Sequence, residues 1–493
     1  MASNNAEKGY KIATNYIYSL LYHIFTIITP LITTPYISRV LGATNIGIYG
    51  YVESICIYFI VMGNLGFPLL GQREIAYNAD DLKKRSTKFA DVMIGKTFFL
   101  SISLAAYIIF SLFFAPDNNI IFLSYALGMV ADLVNVGWFF QGLEDFRTTV
   151  MRNFIIKIIS IISIFVFVRT PDDLLAYSLL INAANLIGNG AIVFSLRKEI
   201  SLKDYKFDVK RITVLIKPAL ILAIPYYISQ IYTVINKTML GWIGNDYAQV
   251  GFYDQAQKII TFSVAIVTAL GAVFMPRIAK EVESNEKENV QYFLNKGIDV
   301  ILLISVPLFA GLICIGDMMV PWFFGPGYDQ VGLLIMTFSP ITLFLGMNSF
   351  LGNQYLVSAK REKLLTVMIF IGVVVNVGLN LVLIPLYASM GAVVATVISE
   401  ICKLAFLIIT LRKTLDIKYL LTRSLRYVLL TLPMLAVGLL LKSTVLSSFT
   451  LVNTLILIIA CGVVYLAALI ITKNETLTAL FGMIKKKILK RDK

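Results

Sequence analysis

Apolar residues in this chain gather into runs of about 20 or more, separated by short polar segments. Each run is long enough to cross a hydrocarbon layer of about 30 Å as a helix. Fourteen can be placed, centred near residues 26, 58, 102, 130, 160, 184, 225, 263, 304, 340, 373, 399, 432 and 461. Within several runs, polar side chains recur at steps of three or four, on one face of a helix. Tyr18, Tyr22, Thr26, Thr29 and Thr33 do so in the first run, and Tyr226, Gln230, Thr233 and Lys237 in the seventh. The second presents Tyr49 and Glu53; the eighth presents Tyr253, Gln257 and Thr261, with Asp254 and Lys258 beside them. The sixth carries Ser178, Asn182, Asn185 and Asn189, and the eleventh Asn376 and Asn380. Such stripes either line a wet cavity or hold helices together by hydrogen bonds.

The pattern also repeats. Thr29–Ala76 and Thr233–Ala279 both read apolar helix, short Gly-containing turn, apolar helix, then Arg and Ile-Ala. Leu41-Gly42 falls on Leu240-Gly241, and Gly47-Ile48-Tyr49 on Gly251-Phe252-Tyr253. Further along, Asp91-Val92 matches Asp299-Val300, Gln141–Arg147 matches Gln354–Lys360, and Ser195-Leu-Arg-Lys matches Thr410-Leu-Arg-Lys. Six spans per copy is an even number, so both copies enter from the same side and the repeat is parallel. The expected fold is an all-α integral membrane protein of 14 transmembrane helices. Two six-helix lobes, 1–205 and 206–415, enclose a central cavity, joined by the polar linker RKEISLKDYKFDVKR. Residues 416–493 add two helices with no counterpart in the repeat and a basic tail.

Charge fixes the expected orientation. With the N-terminus inside, the inside segments carry 36 of the 43 Lys and Arg residues. The outside turns carry three, Arg39, Arg169 and Lys442, and four lie within spans, Lys96, Lys237, Lys258 and Lys403. This is the positive-inside bias, and it places both termini in the cytoplasm. It accounts for the net charge of +14 without nucleic acid, because basic loops and the tail KKKILKRDK lie against anionic lipid headgroups. Composition agrees: 58% of residues are hydrophobic, 15% are charged, and the mean hydropathy is +0.80. The first run follows a polar start without a small-residue cleavage site, and reads as a retained span rather than a signal peptide. Cys56, Cys314, Cys402 and Cys461 all fall inside spans and imply neither a disulfide nor a metal site.

An ionised side chain at mid-membrane costs about 2.5–3.5 kcal/mol on insertion scales, so each such residue needs a reason. Lys237 and Lys258 are the candidates to contact an anionic substrate; Lys258 has Asp254 at i−4, which would also neutralise it locally. Glu400 and Lys403 form a comparable i,i+3 pair, read as structural. Glu53 and Asp132 lack a local partner and are the candidates for ion coupling, or for pairing with a lysine of another span. Arg39 ends the first span, where snorkelling and substrate contact are both open. His23, the single histidine, reads as a packed residue or a proton switch. Pro30, Pro35, Pro218 and Pro225 fall in repeat-related helices and would permit bending. The expected substrate contacts are Lys237, Lys258, Asp254, Arg39, Tyr22, Gln230, Asn182 and Asn185, with no cofactor and no metal.

The stretches SRVLGATNIGIYGY (38–51), LGFPLLGQREIA (65–76), FQGLEDFRTTVMRN (140–153), INKTMLGWIGNDYAQVGFYDQAQKI (235–259) and MGAVVATVISEICK (390–403) carry a resemblance. With the fourteen spans they cover nearly the whole chain. It resembles the polysaccharide repeat-unit flippase branch of the multidrug/oligosaccharidyl-lipid/polysaccharide exporter superfamily. That resemblance implies a V-shaped pair of six-helix lobes and an undecaprenyl-diphosphate-linked glycan moved from the inner to the outer leaflet of a bacterial plasma membrane. Implied partners are membrane lipids and the polysaccharide polymerase and chain-length machinery. Lys237, Asp254 and Lys258 stand in the family-like motif of the second lobe, whereas Asn236 stands where members commonly carry Asp. A multidrug exporter of the same superfamily, a membrane polymerase or ligase, and an assembly scaffold are the alternatives. A lumen basic rather than acidic argues against cationic drugs, and the short outside turns leave an enzyme little room for catalytic residues.

Overall fold

The computed structural model describes the backbone of residues 2–115, 118–244, 246–284 and 286–478, and their side chains except those of 2–28, 146–149, 151 and 152. All regular structure among the described residues is helical. Ten of these helices are long and apolar enough to cross a membrane, eleven if the bent pair Asp329–Phe338 and Ile341–Leu356 is one span. The fourteen apolar runs are therefore not resolved one helix to one run. The described part of the helix at Asn153–Phe167 is shorter than a span, and two merged helices each change direction at a single residue. α1 (Ala2–Asn64) breaks at Gly42, with φ 75° and ψ 168°, a conformation open to glycine because it has no Cβ. α15 (Glu362–Thr410) breaks at Ala388, three residues after Pro385.

The chain forms two compact units, Met1–Gly241 with Asp246–Gly251, and Trp242–Asn245 with Phe252–Lys493. Unit 1 holds α1, α2 (Phe67–Tyr77), α3 (Leu82–Phe114), α4 (Asn119–Leu133), α5 (Gly137–Gly142), α6 (Phe146–Phe167), α7 (Leu174–Leu196) and most of α8 (Val209–Ile243). Asp81 caps α3 by accepting from the Lys84 amide at 3.0 Å. The second half of α1 buries Val52 and Cys56 against Leu100 and Tyr107 of α3 and Phe122 and Met129 of α4. Between α4 and α5 the helix is interrupted, and the fully buried Lys96 donates to the carbonyl of Asp132 (2.5 Å), which also accepts from the Asn135 amide, and to that of Asn135 (2.9 Å). A cation at a helix C-terminus meets both the free carbonyls and the negative end of the dipole.

The first residues of α9 (Tyr247–Ala272) belong to unit 1 and cross α1 at the two repeat-matched glycines. A Cβ on Gly47 would stand 1.6 Å from the Tyr247 carbonyl oxygen, and one on Gly251 would stand 2.1 Å from that of Ala43. The backbones touch because neither position carries a side chain.

Unit 2 holds α10 (Met275–Glu283), α11 (Lys287–Ile315), α12 (Val320–Phe323), α13 (Asp329–Phe338), α14 (Ile341–Ser349) and α15, and is built on α11, whose Ile298, Leu302 and Val306 are almost wholly buried. α16 (Ile417–Thr444) and α17 (Leu451–Ile471) pack one face each into this core through Tyr427, Met434, Leu457 and Tyr465, and the Tyr465 hydroxyl donates to the Leu303 carbonyl at 2.9 Å. Their other faces, such as Leu432, Leu440, Ile459 and Val463, are exposed. The appended helices are thus lipid-facing on one side only.

Each unit also contains the same charged clamp. In unit 1, Asp91 accepts from the Tyr205 hydroxyl at 2.8 Å and from Arg211 at 3.0 Å, and the Arg211 guanidinium lies 5.5 Å from the Tyr205 ring centroid. In unit 2, Asp299 accepts from the Tyr419 hydroxyl at 2.7 Å, Arg423 lies 3.6 Å away, and its guanidinium is 5.0 Å from the Tyr419 ring. Asp91 and Asp299 are the pair that the repeat aligns. The start of α16 serves its aspartate as the linker and the start of α8 serve theirs, a local correspondence beyond the twelve-span repeat.

Gly47→Ala tests the backbone crossing. Ordinary overpacking costs about 1–3 kcal/mol, and a Cβ at 1.6 Å from a carbonyl cannot be relieved by a rotamer change. The variant is expected to lose most of its monodisperse peak in detergent size-exclusion chromatography, as is Gly251→Ala. Wild-type melting behaviour in both would show that the helices do not cross there.

Candidate functional site

The polar interior of unit 1 divides into three places. The first is an ion pair between helices: Lys237 Nζ of α8 lies 3.0 Å from a Glu53 oxygen of α1. Lys237 is buried while the Glu53 side chain keeps 37% of its exposure. One residue on, the Thr238 hydroxyl bonds Ser54 at 2.9 Å and Tyr58 at 3.0 Å. Glu53, Ser54 and Tyr58 lie within two turns of α1, so consecutive residues of α8 meet one polar patch. Of the two roles open to Glu53 in the sequence, pairing with a lysine of another span is the one the geometry displays.

The second is a cavity of about 340 Å³ between α1, α6 and α7. Thr29 and Thr33 line it from α1, Asn153, Lys157 and Ser160 from α6, and Tyr177, Asn185 and Asn189 from α7. Lys157 makes no ion pair or hydrogen bond among the described residues, and is thus available to a solute. Sequence reasoning passed over it by counting it with the inside basic loops. The signal was present, because Asn153, Lys157 and Ser160 recur at helical spacing.

The third is a cavity of about 280 Å³ beside the α4–α5 interruption. Asp132 stands in its wall, accepting from Asn64 Nδ2 at 2.7 Å and Asn135 Nδ2 at 3.3 Å, with Gln72, Trp138 and Tyr226 around it. Interrupted backbone is tolerated within a span where it lines such a cavity. The two cavities share a wall: Asn189, which lines the larger, donates to the carbonyl of Ala131, next to Asp132 in the smaller, at 2.8 Å.

In unit 2, Lys258 is held by Asp254 at 2.8 Å within the same helical turn and reaches Gln255 at 3.3 Å. Lys403 and the fully buried Glu400 form a pair at 2.6 Å, and Asn348 donates to both the side chain and the backbone of Glu400. Buried carboxylate and ammonium satisfied in this way neutralise one another, which suits the structural reading of that pair. Asn376 and Asn380, both fully buried, bond one another at 3.1 Å, and Asn376 reaches Thr396 at 3.4 Å.

The other expected contacts fall as follows. Asn185 lines the larger cavity. Asn182 is buried, donates to the Ser178 carbonyl at 2.9 Å and lies under Gly128 of α4. Ser178 in turn bonds Ser124 at 2.6 Å, so this part of the stripe joins α7 to α4 and does not line either cavity. Arg39 is exposed and donates back to the Pro35 carbonyl at 3.3 Å. Gln230 is half-buried on α8 and lines neither cavity. Tyr22 and His23 lie outside the residues whose side chains are described, as does the basic tail. No group of three or more metal-ligating side chains occurs among the described residues.

The first half of the chain matches a known family. The model of the family described as "Polysaccharide biosynthesis protein" spans residues 12–282, more than half of the sequence. The chain belongs to that family. A protein of Escherichia coli K12 named "Putative O-antigen transporter" is 23% identical over 389 residues, 78% of this chain and 93% of its own length. Lipid II flippase MurJ of Bacillus subtilis 168 is 24% identical over 166 residues, 33% of this chain and 30% of its own. Among solved structures, lipid II flippase MurJ in an inward closed conformation superposes with a TM-score of 0.74 at 18% identity, covering 94% of this chain and 100% of that one. A multidrug resistance MATE family transporter of the MOP superfamily, inward-facing, gives 0.59 at 14% identity, covering 81% and 98%. At these identities the solved structures establish the fold. This member of the polysaccharide biosynthesis protein family therefore shares its helical fold with those two structures.

Removing one partner of a buried pair strands the other. Lys237→Met should lower the melting temperature in detergent more than Lys237→Met combined with Glu53→Gln. The loss should fall short of the ~3–5 kcal/mol of a fully buried pair, because Glu53 is partly exposed. Additive effects in the double variant would mean that the two charges do not interact.

Proposed function

We propose that the protein is a flippase for lipid-linked oligosaccharides, carrying undecaprenyl-diphosphate-linked repeat units from the inner to the outer leaflet of a bacterial plasma membrane. The observation that supports this most directly is the polar cavity of unit 1 around Lys157, a lysine with no partner among the described residues. A sugar chain cannot enter hydrocarbon because its hydroxyls would lose their water partners. Threonine, serine, asparagine and tyrosine side chains replace those partners, the lysine attracts the diphosphate, and the lipid tail stays in the bilayer. A cationic drug would gain nothing from such a lining.

On this reading α1 and α15 each cross twice, α4 with α5 and the bent pair cross once, and fourteen spans result with both termini inside. The lobes 1–205 and 206–415 alternate in exposing the cavity, and no covalent bond is made or broken. Lys237 and Lys258 act as further cations once the substrate displaces the carboxylates beside them, and Glu53, released from Lys237, and Asp132 are the groups open to ion coupling. The product would feed capsule, exopolysaccharide or O-antigen-type assembly, with polymerase and chain-length proteins as partners.

Deleting the native copy should abolish polymer export and leave undecaprenyl-linked precursor on the inner leaflet. Wild-type protein should restore export, Lys157→Arg most of it, and Lys157→Ala less than about a tenth, equivalent to about 1.4 kcal/mol or more. Undiminished export and normal precursor distribution in the deletion strain would refute the function. Full rescue by Lys157→Ala would remove the lysine from it.

A further inference from the structure

We propose that the smaller cavity of unit 1, beside the α4–α5 interruption, is a sugar-ring subsite that holds one uncharged pyranose of the glycan. This rests on the glycan flippase reading and adds where, and by which chemistry, the carbohydrate itself is recognised.

Several polar groups of the residues around this cavity are unused. Asp132 presents a carboxylate, held in place by the amide nitrogens of Asn64 and Asn135. It makes no ion pair among the described residues. The buried Asn64 Oδ1 and the buried Trp138 Nε1 have no partner in the structure. The Gln72 side chain makes no hydrogen bond among the described residues, and the Tyr226 ring is 46% exposed. Buried polar atoms are ordinarily satisfied, so an unpaired acceptor and an unpaired donor on two residues that line one cavity point to a solute that draws both into use.

The combination selects the class of solute. A phosphate offers mainly acceptors and negative charge, and would meet Asp132 and the Asn64 oxygen with repulsion. A bare cation would use the carbonyls of an interrupted helix, yet Lys96 Nζ already occupies those of Asp132 and Asn135. It would also leave the indole N–H unpaired. A sugar hydroxyl donates one hydrogen bond and accepts others. Adjacent hydroxyls of a ring can therefore donate to Asp132 and Asn64 while accepting from Trp138 and Gln72. The flat C–H face of a pyranose suits an exposed tyrosine ring. At about 280 Å³ the space lies just under the ~300–1,000 Å³ of drug-sized pockets, which fits one ring rather than a chain. The larger cavity, with its lysine, lies across the wall formed by α4 and α7. The unit thus keeps a cation in one cavity for the anionic part of the substrate and a carboxylate in the other for the hydroxyl-bearing part.

Trp138 provides its own reporter. The full-length chain carrying Trp242→Phe and Trp322→Phe retains Trp138 as its single tryptophan. In nanodiscs its fluorescence is titrated with glucose, galactose, N-acetylglucosamine and N-acetylgalactosamine, and separately with glycerol and inorganic diphosphate. At least one pyranose should give a saturable change in the millimolar range, whereas glycerol and diphosphate should not. Asp132→Asn and Gln72→Ala, each with unchanged helical circular dichroism, should weaken that sugar at least tenfold. Saturation by diphosphate alone, no saturation by any sugar, or an unchanged curve in both variants would each overturn the subsite. Precursor distribution in the deletion strain separates the two levels. If precursor crosses without the protein, the flippase reading falls. If crossing requires the protein but no sugar titrates, the subsite alone falls.

Discussion

An unpaired charge surrounded by hydrocarbon is unstable, and the placement of ionised groups in this protein follows from that constraint. Lys237 has Glu53, Lys258 has Asp254, Lys403 has Glu400, and Lys96 has two backbone carbonyls at a helix interruption. The four cations are neutralised by three routes: across two helices, within one turn, or against a helix end. Against that background Lys157 stands out, because its surroundings are a cavity lined with hydroxyls and amides rather than a counter-ion. Water or solute must supply what the protein does not. Among the described span lysines, those four are neutralised by the protein, whereas Lys157 faces a space.

Backbone approach sets a second requirement, met by the repeat. Gly47 and Gly251 occupy equivalent places in the two copies of the opening motif and cross one another within unit 1. A duplicated motif brings this about economically: the residue that lets one copy approach is present in the other, so close contact demands no new sequence feature. The aspartate clamps follow the same logic, with Asp91 and Asp299 each gripped by a tyrosine and an arginine from a later segment.

Much of this was legible in the residues. Apolar runs and the Asp91/Asp299 match are local features of the chain, and the i,i+4 and i,i+3 pairs at Lys258 and Lys403 are fixed by helical spacing alone. Contacts between distant segments were not legible. Nothing local marks Glu53 as the partner of Lys237, and nothing near Asn182 shows that its helical face turns toward α4 while Asn185, one turn on, meets a cavity. A polar stripe names a helical face, but the neighbour that it meets depends on tertiary packing. The α4–α5 interruption was hidden for a related reason. Its stretch Ala131–Gly137 contains no proline, and the break is stabilised by Lys96, 36 residues away from Asp132.

That interruption links packing to chemistry. A continuous helix would consume the carbonyls of Asp132 and Asn135 internally and hold the residues around them in helical register. Breaking it frees carbonyls that must be satisfied, and a buried lysine satisfies them more strongly than a neutral donor would. The same break releases Asn135 to turn its side chain back to Asp132 and lets α5 carry Trp138 into place against Phe89. The lysine that repairs the backbone therefore also builds the wall of the smaller cavity. Lys96 itself does not line that cavity, which leaves the Asp132 carboxylate and the Trp138 indole among its walls.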